Sequence, residues 1–233
     1  MNEHIPKIIH YCWFGRGAKP DSVLSCIKNW ESVCPDYEIV EWNEDNFDIN
    51  TNIFVREAYE NKKYAFVADY VRLYALYAKG GIYLDTDVYL LKTFDDFLQD
   101  EVFMSFESSN TVCTAVIGAK RQSKFIKELL DQYRESKFVL GNGKFNDKPN
   151  SEIIFLKLFS GKMDRDSRQQ VQEVTIYPVD YFCGKDYKSF ESLETTNTVA
   201  VHMLDASWYP MNKRLKRNLK KFLLKCGLSF LWK

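Results

Sequence analysis

Residues 80–91, GGIYLDTDVYLL, place two carboxylates, Asp85 and Asp87, inside an apolar run that is typical of a buried strand. Side chains at positions i and i+2 of a strand point to the same face, so the spacing directs both acids to one place. Two like charges beside an apolar core are costly unless a cation binds them. The pattern therefore predicts a divalent metal ion that carries phosphate oxygens. The same Asp-x-Asp pattern also occurs in turns, where Asp side chains cap backbone amides.

A helical pattern over residues 64–79 comes directly before this stretch, and Gly80 and Gly81 stop it. The helix carries Asp69 and Arg72 three positions apart, on one helix face. The two side chains can form a salt bridge on the helix. Alternatively, they can bind a ligand, the acid through sugar hydroxyls and the arginine through phosphate or hydroxyl oxygens.

Further strands and helices are predicted on both sides of this unit. The strand patterns are residues 6–14, 37–43, 101–107, 114–120, 174–182 and 197–204. The helix patterns are residues 20–35, 54–62, 122–138 and 151–159. Strands alternate with helices in the first half, which favours a parallel-sheet α/β layout, whereas the second half is more α+β. We predict one domain, residues 1–210, followed by a basic amphipathic helix, residues 211–233.

The composition is that of a globular chain of 233 residues, 45% hydrophobic and 27% charged, with room for one substantial core. Its six cysteines include no Cys-x-x-Cys pair, so zinc-site spacings are absent and reduced thiols are predicted. Residues 1–15 lack the basic and apolar regions of a signal peptide, and no apolar run is long enough to span a bilayer. The sequence therefore predicts a cytoplasmic location.

The formal net charge is zero, from 32 basic and 32 acidic residues, but residues 211–233 hold eight of the basic residues and no acid. An apolar stripe in that segment consists of Leu215, Leu219, Phe222 and Cys226. A basic amphipathic helix can lie on an anionic membrane, or it can dock its stripe on the core. We favour peripheral contact with the inner face of the cell membrane.

Three separated segments carry a family resemblance: IPKIIHYCWFG (residues 5–15), FVADYVRLYALYAKGGIYLDTDVYLL (66–91) and AVHMLDASW (200–208). In this order they resemble glycosyltransferase family 32 and, more distantly, the glucosylating domains of the large clostridial toxins. The resemblance covers residues 5–210. It implies a GT-A-type α/β fold, a Rossmann-like central mixed sheet flanked by helices with the Asp-x-Asp at a strand end. It also implies a hexosyltransferase that uses a nucleotide-sugar donor.

The resemblance assigns a role to each matching residue. Asp87 would bind Mn²⁺ or Mg²⁺ directly, and Asp85 would contact the ribose and the metal shell. Asp69 and Arg72 would hold the donor sugar. Trp13 would stack on the nucleotide base, although a packed Trp at a strand end is equally typical.

The last segment supplies the remaining assignments. His202 would be a further ligand of the metal or diphosphate, since imidazole suits Mn²⁺, and its alternative is a packed histidine. Ser207 and Trp208 would cover the diphosphate. No catalytic carboxylate is assigned beyond Asp85 and Asp87.

The chain departs from the family pattern at three places. Met203 stands where a second histidine is common, Thr114 where asparagine is common, and Lys148-Pro149 where Gly-Pro is common. The resemblance places the last two on the acceptor side. They therefore leave the donor chemistry unchanged and the acceptor open.

The leading hypothesis is a metal-dependent retaining glycosyltransferase that moves a hexose, with UDP-galactose or UDP-glucose preferred as donor. The acceptor would be a lipid-linked glycan in capsule, exopolysaccharide or O-antigen synthesis, and nucleic acid is not expected as a partner. A GDP-mannose-dependent mannosyltransferase is the alternative within the class. A toxin-like effector that glycosylates protein and a non-enzymatic sugar-binding module are alternatives from other classes. The module would not need Asp69, Arg72, Asp85 and Asp87 together.

Overall fold

The computed structural model describes residues 4–148, 150–205 and Leu219. The strands within them are β1 (Ile8–Cys12), β2 (Glu38–Trp42), β3 (Gly81–Leu84), β4 (Val88–Leu90), β5 (Val102–Ser108), β6 (Thr111–Ala119), β7 (Gln169–Val171), β8 (Val174–Tyr177) and β9 (Ala200–His202). The α-helices are α1 (Asp21–Val33), α2 (Ile53–Glu60), α3 (Tyr64–Lys79), α4 (Lys124–Asp131), α5 (Asn150–Leu158) and α6 (Val179–Phe182). Short 3₁₀ turns lie at Ile49–Thr51 and Asp95–Phe97.

The central sheet has seven strands in the order β2-β1-β3-β6-β5-β8-β7. Strands β1, β2, β3, β5 and β8 run in one direction, and β6 and β7 run against them. Helix α3 packs on β1, β3 and β6, α5 packs on β6, and α6 packs on β5. This topology confirms the predicted α/β class, a Rossmann-like mixed sheet flanked by helices.

The Asp-x-Asp stretch is divided between two sheets. Strand β3 ends at Leu84, and the chain turns over residues 85–87, where the Val88 N–H donates to the Asp85 carbonyl at 3.1 Å. Strand β4 then pairs antiparallel with β9 in a separate two-stranded sheet, with Val88 opposite His202. The expectation of one continuous strand over residues 80–91 is therefore wrong. A turn, and not the two-residue period of a strand, brings the two carboxylates together.

The Gly80-Gly81 pair is required by the close approach of its neighbours. Gly80 has φ 69°, and a Cβ there would lie 2.7 Å from the backbone nitrogen of Arg121. Gly81 has φ 111°, and its Cβ would lie 2.6 Å from the carbonyl oxygen of Ile8. Both positions combine a left-handed backbone with a steric block, which is the situation that selects glycine. The pair ends α3 and starts β3 against β1, as the sequence predicted.

The two largest differences from the expected element boundaries lie in α4 and β8. The helix expected to reach Phe138 ends at Asp131, and Glu57 Oε2 accepts the backbone N–H groups of Phe138 and Val139, both at 2.9 Å, so these two residues are held outside a helix. The strand expected over residues 174–182 ends at Tyr177, because Pro178 has no N–H to donate to a sheet and instead precedes α6.

The described cysteines, Cys12, Cys26, Cys34, Cys113 and Cys183, are free thiols, as predicted. Over the residues that the structure describes, no helix has both the length and the apolar character needed to cross a membrane. The predicted basic helix over residues 211–233 lies outside the described residues except for Leu219, whose side chain is exposed.

A buried histidine fixes the start of β3 and gives a first prediction. His10 is fully buried, with Nε2 2.8 Å from the Gly80 carbonyl oxygen and Nδ1 accepting the Trp42 indole N–H at 3.2 Å. Burial lowers the pKa of His10 from 6.5 to about 4. The unfolded chain therefore binds more protons between these values, so His10 stabilises the fold fully above pH 6.5 and progressively less as the pH falls towards 4. The loss should reach about 3 kcal/mol, since one pKa unit corresponds to about 1.4 kcal/mol.

Urea denaturation between pH 4 and 7 measures this effect as the difference between the wild type and His10→Gln, which does not titrate there. Buried carboxyl groups with raised pKa values change the stability with pH in the opposite direction. They are present in both proteins, so their contribution cancels in the difference. Parallel pH profiles of the two proteins would contradict the prediction.

Candidate active site

The candidate site lies at the edge of the sheet where strands β1, β3 and β5 end. Because these strands run in the same direction, their carboxyl ends lie at one edge, where α/β folds bind ligands. Trp13 follows β1 directly, Asp85 follows β3 directly, and Glu107 is the second-last residue of β5. The topology therefore brings together residues that are far apart in the sequence.

Asp85, Asp87 and His202 form a cluster that can hold a metal ion. Each offers one ligand atom, and these atoms all lie within 4.8 Å of one another. His202 reaches the cluster because β9 pairs with β4, and its Nε2 lies 3.3 Å from Asp87 Oδ1. Its Nδ1 is buried and has no hydrogen-bond partner in the described part of the chain.

This donor set fits a divalent cation. Two carboxylates and an imidazole suit Mn²⁺, and carboxylates together with diphosphate oxygens suit Mg²⁺. The three residues predicted as ligands therefore lie close enough together to hold one ion.

Asp87 is held by groups from the segment that follows β9. Its Oδ2 accepts the backbone N–H of Asp205 at 2.8 Å, and its backbone carbonyl accepts the N–H of Met203 at 2.8 Å. Burial would raise the pKa of Asp87, but the charge and hydrogen bond of His202 outweigh it and hold the pKa at about 2. Burial opposes the protonation of His202, yet Asp87 raises the pKa of His202 well above its ordinary value. Without an ion, the Asp87 carboxylate therefore favours the protonated imidazole, and ligation through His202 requires loss of that proton.

Arg72 is the cation that pairs with the Asp85 carboxylate. It is only 5% exposed, and its Nη2 lies 2.9 Å from Asp69 Oδ1 and 3.4 Å from Asp85 Oδ1. Its Nη1 donates to the Thr114 carbonyl at 2.6 Å, which ties α3 to β6. The predicted Asp69–Arg72 salt bridge is present, and it extends to Asp85. Burial raises the pKa of Asp69 to about 6 although Arg72 acts against this.

Tyr83 is a site residue that sequence reasoning missed. Its hydroxyl donates to Asp85 Oδ1 at 2.9 Å, and the Arg72 guanidinium carbon lies 4.7 Å from the centre of its ring. Tyr83 thus fixes the carboxylate and covers the cation that pairs with it. The signal was available, because a tyrosine in a buried strand needs a partner for its hydroxyl and an acid follows two residues later.

Trp13 lies half-buried at the end of the strand next to β3. Its indole Nε1 donates to the Gly17 carbonyl at 2.7 Å, so the ring is fixed by the loop after β1. The structure thus joins Asp69, Arg72, Asp85, Asp87 and His202 in one cluster, with Trp13 at the neighbouring strand end. Ser207 and Trp208 lie outside the described residues.

Two further groups near the cluster, Glu107 and Cys113, were not predicted. Burial raises the pKa of Glu107 to about 7. Hydrogen bonding to Cys183 and the proximity of His202 hold the pKa of the buried Cys113 thiol below its ordinary value. Both residues belong to strands that looked like core filling in the sequence, because their neighbours are apolar.

Residues 20–104, which include both aspartates and Arg72, match the family model described as the glycosyltransferase sugar-binding region containing the DXD motif. The prediction that the chain resembles DXD glycosyltransferases is confirmed by this match. The matched region contains Asp85 and Asp87, so the site at the carboxyl edge of the sheet lies in the part of the chain that resembles these sugar-binding regions.

Curated relatives match over part of their length. Inositol phosphoceramide mannosyltransferase 3 of Schizosaccharomyces pombe is 30% identical over 130 residues, which are 54% of this chain and 36% of that protein. Subversion of eukaryotic traffic protein A of Legionella pneumophila is 26% identical over 168 residues, 57% of this chain and 25% of that protein. The chain thus spans about a quarter to a third of these relatives. A solved structure titled PaToxG glycosyltransferase aligns with a TM-score of 0.48 at 18% identity, covering 55% of this chain and 60% of that one.

Proposed function

We propose that this chain is a metal-dependent retaining glycosyltransferase that moves a hexose from a nucleotide-sugar donor to a glycan acceptor. The observation that carries this proposal is the Asp85–Asp87–His202 cluster at the carboxyl edge of the sheet, beside the Asp69–Arg72 pair. A sugar-binding module without catalysis would not need this charged arrangement. The family match over residues 20–104 supports the same class.

Each residue of the cluster has a task in this proposal. Asp85, Asp87 and His202 hold Mn²⁺ or Mg²⁺, which neutralises charge on the leaving nucleotide diphosphate. Arg72 and Tyr83 keep the Asp85 carboxylate in place through their contacts with Oδ1. Trp13 stacks on the base, and Ser207 and Trp208 cover the diphosphate.

The transfer exchanges one bond at the anomeric carbon for another on the same face of the sugar. The bond to the diphosphate oxygen breaks and takes its electron pair with it, while the acceptor hydroxyl oxygen forms the new bond. The departing diphosphate oxygen accepts the proton of that hydroxyl. The anomeric carbon carries oxocarbenium-like charge during the exchange, as in glycoside chemistry generally. This route retains the anomeric configuration without a protein nucleophile.

UDP-galactose or UDP-glucose is the preferred donor, and GDP-mannose is the alternative that the mannosyltransferase relative favours. A screen of nucleotide sugars for hydrolysis with Mn²⁺, Mg²⁺ and EDTA tests both. We expect hydrolysis of one donor, dependent on the ion. Absence of ion-dependent hydrolysis with all of them would contradict the proposed function.

The proposed acceptor is a lipid-linked glycan in the synthesis of a surface polysaccharide such as capsule, exopolysaccharide or O-antigen. The relative named subversion of eukaryotic traffic protein A favours an effector with a protein acceptor as a second candidate. Incubating the labelled donor with lipid-linked oligosaccharides and, separately, with a eukaryotic lysate distinguishes them. Label that enters the lipid fraction supports the first, and label that enters protein supports the second.

Trp13 gives a prediction about the donor. Trp13→Ala should raise the donor KM about 5- to 150-fold, because stacking on a base contributes about 1–3 kcal/mol. Trp13→Phe retains a ring and should recover most of the affinity. Kinetics with the donor identified in the screen, beside a melting curve for each variant, measures both effects. Lower stability with unchanged donor affinity would identify Trp13 as a core residue only.

The basic segment 211–233 gives a prediction about location. We place the protein in the cytoplasm, in contact with the inner face of the cell membrane through this segment. Deleting residues 212–233 removes eight positive charges, so the truncated protein should lose flotation with anionic vesicles and retain hydrolysis of free donor. Full-length binding should weaken with salt, since each surface cation contributes about 1 kcal/mol through a screened field. Equal flotation of both forms at low salt would contradict the membrane contact.

A further inference from the structure

The strand ends at the site follow a linear order along the edge of the sheet. In the order β1-β3-β6-β5, Trp13 follows β1, the metal-binding cluster follows β3, and Glu107 lies near the end of β5. Only β6 lies between β3 and β5, so the end of β5 lies on the side of the cluster away from β1. Trp13 and Glu107 therefore flank the cluster on opposite sides.

A β-bulge displaces Glu107 from the regular pairing of β5 with β6. Phe106 pairs with Val112 and Ser108 pairs with Thr111, so two steps along β5 correspond to one step along β6, and Glu107 is the extra residue. Bulges redirect a side chain, and they are frequent beside active sites. Because of the bulge, the regular alternation of side chains between the two faces of the sheet does not apply at Glu107.

Glu107 is a partly buried carboxyl group with no lysine or arginine partner among the described residues. Neither lysine nor arginine pairs with it among residues 4–148 and 150–205, whereas Asp85 and Asp87 each have a cationic partner. Its side chain lies close to the Thr111 hydroxyl and near the charges of His202 and Asp85. Glu107 thus lies near the cluster, and no lysine or arginine of the described residues pairs with its carboxyl group.

The donor is itself a linear molecule, with the base, the ribose, the diphosphate and the hexose in that order. If the base lies on Trp13 and the diphosphate at the cluster, the hexose extends over β6 towards β5. We infer that Glu107 accepts hydrogen bonds from the hydroxyls of the transferred hexose and determines which hexose is used. This inference rests on the proposed function. A buried group that pairs with one hydroxyl discriminates strongly against a sugar that presents it differently.

The experiment compares the wild type with Glu107→Gln and Glu107→Asp, and uses Glu101→Gln as matched control. Glu101 directly precedes β5, at the opposite edge of the sheet, and pairs with Lys120 at 3.0 Å. Calorimetric titrations in Mn²⁺ with UDP, UDP-glucose, UDP-galactose, GDP and GDP-mannose separate the nucleotide contribution from the hexose contribution. Initial rates with the three nucleotide sugars give the donor preference. Melting curves show which variants are folded.

Both Glu107 variants should bind the nucleoside diphosphate about as tightly as the wild type and lose about tenfold or more in affinity for the preferred nucleotide sugar. Their ratio of glucose to galactose use should change, while Glu101→Gln should match the wild type. Unchanged hexose affinity and preference would overturn the inference and leave the proposed function standing. Equal losses for diphosphate and nucleotide sugar would also overturn it, because Glu107 would then shape the metal cluster. Failure of the wild type to bind any of the five ligands would overturn the proposed function itself.

Discussion

Replacing Asp87 by asparagine should abolish glycosyl transfer and leave the fold intact. The amide keeps the shape of the side chain, and its oxygen can still accept the backbone N–H of Asp205. It loses the negative charge that holds the cation and pairs with His202. We expect a loss of at least about a thousandfold in kcat/KM, about 4 kcal/mol, since the ion contributes several kcal/mol to such reactions.

Initial rates over a Mn²⁺ titration measure this loss. Asp85→Asn should be nearly as severe, because Asp85 belongs to the same cluster. Asp45→Asn is the matched control, since Asp45 is exposed and pairs only with the exposed Arg16 at 2.8 Å among the described residues. Near-normal turnover of Asp87→Asn with kinetics that are insensitive to EDTA would show that the metal assignment is wrong.

The elements around Gly80 could be predicted from the sequence because their signals are local. The helical period of α3 and the glycines after it determine the bounds Tyr64–Lys79, which match the sequence expectation. The break after Leu84 could not be predicted in this way. An apolar sequence does not show whether it forms one strand or two strands that pair with different partners. Here β3 pairs with β6, whereas β4 pairs with β9, more than 100 residues later in the chain.

The sequence predicted most of the residues that form the site, but not which cations pair with its carboxylates. The sequence argued that two carboxylates beside a core require an external cation. In the structure Arg72 pairs with Asp85, and His202 pairs with Asp87, so the protein already compensates both charges. Glu107 was missed because its strand reads as core, and only the bulge and the strand order place it beside the cluster.

Arg72 should have the largest effect on stability among the site residues. It is buried between Asp69 and Asp85, so Arg72→Met leaves two partly buried carboxylates without their cation. Removing one partner of a buried pair costs about 3–5 kcal/mol, because the other charge remains uncompensated. Urea denaturation at pH 7 measures the free energy of unfolding. Arg16→Met is the control and should change it by less than about 1 kcal/mol, since its ion pair is exposed.

A double-mutant cycle tests whether the loss comes from uncompensated charge. Asp69→Asn in the Arg72→Met background removes one of the two carboxylates that have lost their cation. The double variant should therefore be more stable than Arg72→Met alone. The destabilisation of Arg72→Met should also shrink at low pH, because a buried carboxyl group whose pKa lies at about 6 even beside Arg72 protonates readily once that cation is gone. Strictly additive effects at both pH values would show that Arg72 stabilises the fold through packing on Tyr83 and its hydrogen bond to β6, and not through the two acids.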